Sequence, residues 1–263
     1  MGDVEEEQRL EGGFVNEVVR VGDTVRRTAG PWTPAVHTLL QHLEQADFRE
    51  SPRAHGLDQQ GREILTFLPG ETTPWTNWPA VLQRVDGLIM MGQLLRRYHD
   101  AVRGFVPPAG AVWRNPLAPA EGELIRHGDF SPFNILWQDD RPTGIIDWDF
   151  AQPGQAITDL AYLAWNAVPL QGIGRIREYG LAEDVDLPAR LSALCTAYDE
   201  TIRPDEVVDA AIAAIRTEAE QTAALAERGL HPWQRFAQDG NVEAFRREAD
   251  WIQQNRGLFL QTC

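Results

Sequence analysis

Two kinds of hydrophobic pattern divide this sequence near residue 70. Before that point the apolar residues come in short runs rich in valine, and two of these runs, EVVRVG and DTVRR, meet at Gly22-Asp23. Short β-branched runs joined by a glycine-containing dipeptide predict a β-hairpin. The stretch SPRAHGLDQQGREILTFLPGE predicts two more strands around a glycine turn. This first region therefore predicts a small antiparallel sheet.

Helices are predicted both within and after this sheet region. The stretch WTPAVHTLLQHLEQA has Thr33 as its predicted N-cap and Pro34 at the first helical position. WPAVLQRVDGLIMMGQLLRRYHDAV predicts one long amphipathic helix, and Thr158 is the predicted cap of a helix over DLAYLAWNA. The sequence thus predicts an α+β fold, with one lobe over residues 1–70 and a larger, mainly helical lobe over residues 71–263.

Charge and composition exclude several functions. The formal net charge is −15, and all 24 basic residues are arginine. A chain without lysine has no Schiff-base lysine and no P-loop lysine. Its acidic balance disfavours nucleic acid as a partner and suits a cationic small molecule. No apolar run reaches the roughly 18 residues of a membrane helix. The acidic N-terminus does not resemble a secretion signal, and the two distant cysteines fit a reducing compartment, so we expect a cytoplasmic protein.

Two short stretches, HGDFSPFN and IIDWDF, carry polar side chains at fixed intervals between apolar ones. The first is too irregular for a helix, so a loop can point Asp129 and Asn134 to one side. The runs NILW and TGIIDW predict a hairpin, and strand alternation would place Asp147 and Asp149 on one face. Amide and carboxylate oxygens near each other, without histidine or cysteine, predict a Mg²⁺ site. Asp129 would then be free to accept a proton.

The order of these residues resembles a known arrangement. His127-Gly128-Asp129, followed by Asn134 and Asp147, resembles the kinase loop His-x-Asp-x-x-x-x-Asn with a metal-binding aspartate on the next strand. HGDFSPFNILW, GIIDWDFAQPG and DLA together resemble the aminoglycoside phosphotransferase and choline kinase superfamily. The resemblance extends from GGFVNEVVRV to at least the tryptophan of DLAYLAW. It implies a bilobal protein-kinase-like fold, with a small antiparallel-sheet N-lobe that carries one helix and a larger helical C-lobe.

The resemblance implies a role for each polar residue of the two stretches. Asp129 would orient and deprotonate an acceptor hydroxyl as it attacks the γ-phosphate of ATP. Asn134 and Asp147 would hold Mg²⁺, and Asp149 would assist them. Two further residues would support the loop without touching the substrate, namely His127 and Asp159.

By the same resemblance, ATP would lie between the lobes. ILTFLPG resembles the kinase hinge, where the Thr66 carbonyl and the Leu68 N–H would recognise adenine. GGFVN occupies the place of the phosphate-covering loop, with Asn16 as a phosphate contact. Kinases grip the phosphates with a lysine on the third strand, and here an arginine of TVRR would do so. We favour Arg26, with Arg27 as the alternative register.

The helix position that holds a glutamate in kinases falls on or near His37. A neutral histidine could orient an arginine through one nitrogen, whereas a protonated one would repel it. The altered lysine and glutamate positions leave a second hypothesis, a pseudokinase that binds nucleotide or a partner without transfer. A third hypothesis is a metal-dependent hydrolase that uses His127 and the aspartates as ligands, although such an enzyme has no need of the hinge pattern.

The sequence leaves the acceptor open between aminoglycoside-like, choline-like or homoserine-like molecules and another metabolite. An amino sugar could be received by acidic residues after the metal motif, for which the candidates are Asp159, Glu178, Glu183, Asp184, Asp199 and Glu200. A quaternary amine or apolar molecule could instead meet an aromatic wall built from Trp165, Trp233 and Trp251. The leading prediction is an ATP- and Mg²⁺-dependent O-phosphotransferase acting on a small molecule, with its oligomeric state open.

Overall fold

The structure, a computed structural model, describes residues 7–10 and 18–260. Within these ranges it has the α+β, two-lobed architecture that the sequence predicts. A five-stranded antiparallel sheet with one helix comes first, and a mainly helical part follows. None of the helices in the described ranges is long and apolar enough to cross a membrane. The lobe boundary at residue 70 stays a prediction.

The first sheet contains the predicted hairpin. Its strands are β1 (Gln8–Arg9), β2 (Val18–Val21), β3 (Thr24–Thr28), β4 (Ala54–Leu57) and β5 (Arg62–Thr66). They lie in the order β1-β2-β3-β5-β4, and every neighbouring pair is antiparallel. Gly22 turns the chain between β2 and β3 with a φ of 59°, a conformation that glycine adopts without strain. The pairing of β3 with β5 places Arg27 directly opposite Glu63.

The helix of this lobe, α1 (Thr33–Gln45), buries the apolar face that its spacing predicts and packs against β4. Its N-cap is Trp32, so the predicted cap at Thr33 is wrong. The Thr33 hydroxyl accepts a hydrogen bond from the Gly30 N–H at 2.9 Å, behind the helix. Because the hydroxyl is used there, it does not cap the amides ahead of it.

The predicted long helix is two helices, α2 (Ala80–Gln83) and α3 (Val85–Val102). Arg84 separates them with an extended backbone, at φ −85° and ψ 162°. A Cβ atom on Gly87 would lie 2.4 Å from the Val81 carbonyl oxygen, so α2 folds back onto the first turn of α3. Both segments bury apolar residues at helical spacing, and periodicity alone therefore did not reveal the break.

In the described ranges, five further short strands form a three-stranded and a two-stranded sheet. They are β6 (Glu71–Thr72), β7 (Leu124–Arg126), β8 (Ile135–Gln138), β9 (Arg141–Ile145) and β10 (Gln152–Gly154). The three-stranded sheet has the order β6-β8-β9, and the two-stranded sheet consists of β7 and β10. The hairpin of β8 and β9 turns at Asp139 and Asp140, as predicted. Strand β9 ends at Ile145, however, so the following aspartates do not lie on a strand. Asp147 has a left-handed backbone with φ 61°, and Asp149 lies in the short 3₁₀ helix that follows it, Trp148–Phe150.

Helices complete the second lobe. They are α4 (Ala156–Ala167), α5 (Ile173–Glu178), α6 (Leu187–Tyr198), α7 (Pro204–Glu227), α8 (Trp233–Gln238), α9 (Asn241–Gln254) and α10 (Gly257–Leu260). Helix α4 begins two residues before the predicted cap at Thr158, and Gln155 is its N-cap. Helix α7 packs against α4, α8 and α9, while α3 packs against α6. The main core lies between these helices, continues to α1 and β5 of the first lobe, and includes Phe130 of the loop region and Ile135 at the start of β8.

Candidate active site

Gly128 brings the HGD loop against the chain that carries Asp149. Its φ is 83°, and a Cβ atom there would lie 2.0 Å from the Phe150 carbonyl oxygen. A side chain at this position would therefore collide with the backbone. Glycine between His127 and Asp129 is required by this close approach.

Asp159 lies beneath the loop and is fully buried. Its carboxylate accepts the His127 N–H at 2.7 Å and the Gly128 N–H at 3.0 Å, and His99 Nε2 lies 3.2 Å away. Burial by itself would raise the pKa of Asp159, but the hydrogen bond and charge interaction with His99 outweigh it and lower the pKa. The ionised carboxylate thus holds two backbone amides of the loop in place.

His127 is buried, and both of its ring nitrogens are engaged. Nδ1 accepts the Asp129 N–H at 3.3 Å, and Nε2 lies 3.0 Å from the Ile146 carbonyl oxygen. A histidine that accepts at Nδ1 donates at Nε2, so the ring is neutral, and burial lowers its pKa. These contacts hold the loop and leave no nitrogen for a metal. In the described ranges, no three histidine, cysteine or acidic side chains form a cluster that could hold a metal ion.

Asp129 and Asn134 lie side by side on the loop. The Asn134 amide nitrogen donates to the Asp129 carboxylate at 2.8 Å and to its backbone carbonyl at 2.9 Å. The amide oxygen of Asn134 is therefore the atom left for a cation. Partial burial and the nearby charge of Asp147 raise the pKa of Asp129 to about 7, although hydrogen bonds with Tyr162 and Asn134 act in the opposite direction.

Arg27 joins the first lobe to the two aspartates of IIDWDF. Its Nη1 lies 3.0 Å from Asp147 Oδ1, and its Nη2 lies 2.6 Å from Asp149 Oδ1. The Asp147 side chain is 39% exposed, whereas that of Asp149 is 1% exposed. The second Asp149 oxygen accepts a hydrogen bond from Arg114. The structure therefore places Asp147 at the open side of the site and Asp149, predicted to assist the metal, inside a buried ion-pair network.

The structure places Arg27, not the favoured Arg26, at the site. Arg26 bonds to Thr24, and its Nε lies 3.9 Å from an Asp58 oxygen on the other face of the sheet. Successive residues of a strand point to opposite faces, so only one of the two arginines can reach the aspartates. The sheet pairing that places Arg27 opposite Glu63 decides which one does.

Glu63 is a site residue that was not predicted. It is buried, forms an ion pair with Arg27, and its second oxygen lies 3.0 Å from His37 Nε2. His37 on α1 is thus linked to Arg27 on β3 through the carboxylate of Glu63 on β5. The alternation in REILT, which puts Glu63 on the same buried face as Leu65, was the signal that could have revealed it.

The predicted hinge residues lie where the chain leaves the first sheet. Thr66 is the last residue of β5, and the next N–H, of Phe67, donates to the Asp23 carbonyl at 2.9 Å. Leu68 packs over Gly144. The adenine contacts of Thr66 and Leu68 stay predictions, and Asn16 lies outside the described residues.

A cavity of about 330 Å³ opens beside Gly128. Helices α4 and α7 form much of its wall. Its chemically distinctive lining residues are Arg126, Phe150, Tyr162, Trp165, Glu218 and Trp233. Two of the three predicted tryptophans therefore line it, whereas Trp251 packs against Phe259.

Most of the predicted acidic acceptor residues are engaged elsewhere. Asp159 supports the loop. Three of the others pair with arginines, namely Glu178 with Arg175, Glu183 with Arg177 and Asp199 with Arg96. The carboxylate that does line the cavity is Glu218, whose pKa is raised by burial. It lies on α7, far along the sequence from the loop, and no local motif marks it.

The fold and the loop together resemble those of a known class of protein. Two lobes, an aspartate and an asparagine on one loop, and a second aspartate opposite an arginine of the sheet are similar to the arrangement of kinase-type phosphotransferases. Residues 109–194 match the model of the Phosphotransferase enzyme family. Over these residues the match bears out the superfamily resemblance predicted from the sequence, and the structural neighbours confirm the kinase-like fold.

Among curated proteins, the chain is similar to the trifolitoxin immunity protein of Rhizobium leguminosarum bv. trifolii, with 38% identity over 164 residues. The match covers 59% of this chain and 60% of that protein, so it spans less than two thirds of the relative's length.

Solved structures with the same fold include kinases of different acceptors. A choline/ethanolamine kinase family protein from Mesorhizobium loti is 18% identical, with a TM-score of 0.59 over 98% of this chain and 92% of that one. An aminoglycoside phosphotransferase in complex with GDP and kanamycin is 15% identical, with a TM-score of 0.56 over 93% of each chain. A macrolide 2′-phosphotransferase from Brachybacterium faecium is 18% identical, with a TM-score of 0.55 over 92% of this chain and 93% of that one. At these identities the likeness establishes the fold.

Proposed function

We propose that this protein is an ATP- and Mg²⁺-dependent O-phosphotransferase that transfers the γ-phosphate of ATP to a hydroxyl group of a small molecule. One observation carries the proposal. Asp129 and Asn134 are hydrogen-bonded at 2.8 Å on a loop that borders a 330 Å³ cavity. Across from them, Asp147 faces Arg27 at 3.0 Å. A proton acceptor, two hard-oxygen ligands and a phosphate-binding cation therefore occur in one place.

Asn134 and Asp147 fit a magnesium ion. The amide oxygen of Asn134 is free of its partner Asp129, and the Asp147 carboxylate is the exposed member of the acidic pair around Arg27. Mg²⁺ is usually held by one or two protein oxygens together with phosphates and water. Bound there, the ion would neutralise charge on the phosphates. Asp149 is excluded from this ligand set in our proposal because it is buried between two arginines.

Asp129 aligns the acceptor hydroxyl and takes its proton. Its pKa of about 7 gives a stronger base than an ordinary aspartate, and the neighbouring Asn134 and Tyr162 fix the carboxylate. In phosphoryl transfer the transition state is loose, so positioning of the attacking oxygen matters more than early deprotonation. Gly128 of the Asp129 loop lines the cavity, which supports an acceptor site in this cavity, next to the loop.

Arg27 binds the phosphates in place of the kinase lysine. A guanidinium group presents several N–H donors in a plane and pairs well with phosphate oxygens. Two buried carboxylates, Glu63 and Asp149, hold it, while its contact with Asp147 lies on the exposed side. In our proposal phosphate oxygens reach the guanidinium from the side of Asp147, which is the exposed partner.

The acceptor is a small molecule that carries a hydroxyl and, in our proposal, an amine. Glu218 supplies a carboxylate in the cavity, and Phe150, Trp165 and Trp233 supply aromatic surface. Aromatic faces and a carboxylate together favour a cation. Structural neighbours bind kanamycin or streptomycin, and others are choline or ethanolamine kinases. The relation to a toxin immunity protein adds a toxin or antibiotic to the candidates.

A pseudokinase remains the alternative, because in this structure Arg27 is engaged by three carboxylates and no lysine is present. The discriminating experiment is a screen of amino sugars, amino alcohols, macrolides and other hydroxylated metabolites for ATP consumption and a phosphorylated product. We expect Mg²⁺-dependent transfer that Asp129→Asn abolishes. Binding of Mg·ATP without transfer to any acceptor would favour the pseudokinase, and equal turnover in Asp129→Asn would exclude Asp129 as the base.

A further inference from the structure

Arg114 is a buried arginine that belongs to no sequence motif. Its side chain is 3% exposed, and its Nη1 donates to Asp149 Oδ2. The guanidinium carbon lies 4.6 Å from the centre of a Trp32 ring and 4.9 Å from that of Phe150. Trp32 is the N-cap of α1 in the first lobe, whereas Phe150 lines the cavity. Arg114 therefore contacts the first lobe, the cavity wall and the Arg27 network at once.

Asp149 receives two guanidinium groups, one on each oxygen. Arg27 Nη2 lies 2.6 Å from Oδ1, and Arg114 bonds to Oδ2. Apart from Asp147, the exposed carboxylate proposed as a metal ligand, two buried carboxylates, Glu63 and Asp149, thus face two arginines, and these four charges sum to zero. If Arg114 were uncharged, the same group would carry one negative charge beside the position proposed for the ATP phosphates. Charges at low solvent exposure are weakly screened, so this difference would act on a bound anion.

We propose that Arg114 is a positioning residue for nucleotide phosphate binding: it neutralises Asp149, and Asp149 in turn holds the Arg27 guanidinium with its charge available to phosphate. This inference rests on the proposed function, because it assigns phosphate binding to Arg27. It also gives Asp149 a role other than metal binding. In this proposal Glu63 and Asp149 together take the place of the helix glutamate of kinases. The charge of Asp149 is balanced by Arg114, which lies in the second lobe.

A purely structural role for Arg114 makes the opposite prediction. Burial lowers the pKa of its guanidinium, and its Nε has no hydrogen-bond partner among the described residues. A buried guanidinium with an unpaired N–H is costly, and apolar replacements of buried ion pairs are often tolerated. A structural role therefore predicts that Arg114→Met lowers the free energy of unfolding but leaves the affinity for Mg·ATP unchanged. The positioning role predicts that Arg114→Met lowers the affinity for Mg·ATP.

The test is calorimetric titration of Mg·ATP into the full-length protein and four variants. We expect Arg114→Met to weaken binding roughly tenfold or more, and Arg114→Lys, which keeps the charge, to recover part of the affinity. The double variant Arg114→Met/Asp149→Asn removes the uncompensated carboxylate, so it should bind more tightly than Arg114→Met alone. Arg103→Met is the matched control, since that arginine is 74% exposed and pairs with Asp100.

Each outcome decides the inference. Wild-type affinity in a folded Arg114→Met protein, or no recovery in the double variant, would overturn it while leaving the proposed function intact. If Arg114→Met does not fold, Arg114→Gln, which also removes the charge, takes its place both alone and in the double variant, with the same expected and contradicting results. Absence of Mg·ATP binding by the wild-type protein would overturn the proposed function itself, and this inference with it.

Discussion

Arg27 on β3 and Glu63 on β5 lie directly opposite each other in the first sheet and form a buried ion pair. In kinases the partner of the phosphate-binding cation comes from a helix. In this protein the corresponding helix residue, His37, contacts Glu63 instead. The sheet itself thus holds the cation, so the orientation of Arg27 depends on strand register as well as on the position of α1.

The two neighbouring arginines of β3 should differ sharply in function. Arg27→Met removes the cation that faces Asp147, so we expect a loss of Mg·ATP-dependent turnover of about 100-fold or more. Arg26→Met changes the opposite face of the same strand and should stay within about threefold of wild type. The measurement is kcat/KM for ATP with an acceptor identified in the screen. A larger loss in Arg26→Met than in Arg27→Met would contradict the placement of the strand.

Glu63→Gln should destabilise the fold, because it leaves the buried Arg27 without one of its carboxylates. Breaking a buried ion pair costs several kcal/mol, and since Arg27 keeps Asp149 we expect a fall in the free energy of unfolding of about 2 kcal/mol or more. Urea denaturation of the wild-type protein and of Glu63→Gln measures this free energy. Glu183→Gln, which removes the surface partner of Arg177, is the control and should change stability by less than about 1 kcal/mol. Equal effects of the two substitutions would contradict the burial of the Arg27 pair.

Asp129 should make folding stability depend on pH in the metal-free protein. Its pKa is about 7 in the folded state against an ordinary value of 3.8. Between roughly pH 4 and pH 7 the folded protein keeps a proton that the unfolded chain has lost, so this group lowers stability as the pH rises through that window.

Asp129→Asn removes this contribution. Because the carboxylate is half-buried and partly screened by solvent, we expect its stability relative to wild type to rise by on the order of 1–2 kcal/mol between pH 4 and pH 8. Denaturation curves in EDTA at the two pH values measure the difference. A stability difference that is the same at both values would show that Asp129 has an ordinary pKa.

The aspartates of IIDWDF should respond differently to magnesium. Asp147→Asn weakens a proposed metal ligand, so ATP should bind with little further gain on adding Mg²⁺. Asp149→Asn removes a carboxylate that contacts two arginines, and it should keep the Mg²⁺ dependence of wild type. Thermal shifts with ATP, measured with and without Mg²⁺, give the magnesium-dependent rise in melting temperature for each variant. Loss of the magnesium effect in Asp149→Asn but not in Asp147→Asn would reverse the assignment.

Glu218 should act on the acceptor and not on the nucleotide. Glu218→Gln removes the carboxylate of the cavity, and for an amine-bearing acceptor we expect KM to rise about tenfold while the Kd of Mg·ATP stays unchanged. Glu220→Gln, on the exposed side of the same helix, is the matched control. An unchanged KM in Glu218→Gln would point to an uncharged acceptor.

Local chemistry explains what could be predicted from the sequence. The hairpin of β2 and β3 follows from valine-rich runs around a glycine with positive φ, and the turn at Asp139 and Asp140 has a similar local cause. The interval between Asp129 and Asn134 on a proline-containing loop carried the family resemblance, because the two residues are close in the sequence and their side chains bond directly to each other.

Tertiary structure decided which charged residues meet. The sequence favoured Arg26 and kept Arg27 as the alternative register, and only the pairing with β5 turned Arg27 toward the aspartates. Arg114 and Glu218 come from segments without a motif, and only the fold showed that Asp149 is buried between two arginines. Strand pairing and helix packing bring together residues far apart in the chain. The sequence by itself thus determines which charged side chains are present, whereas the fold determines the partner and the solvent exposure of each.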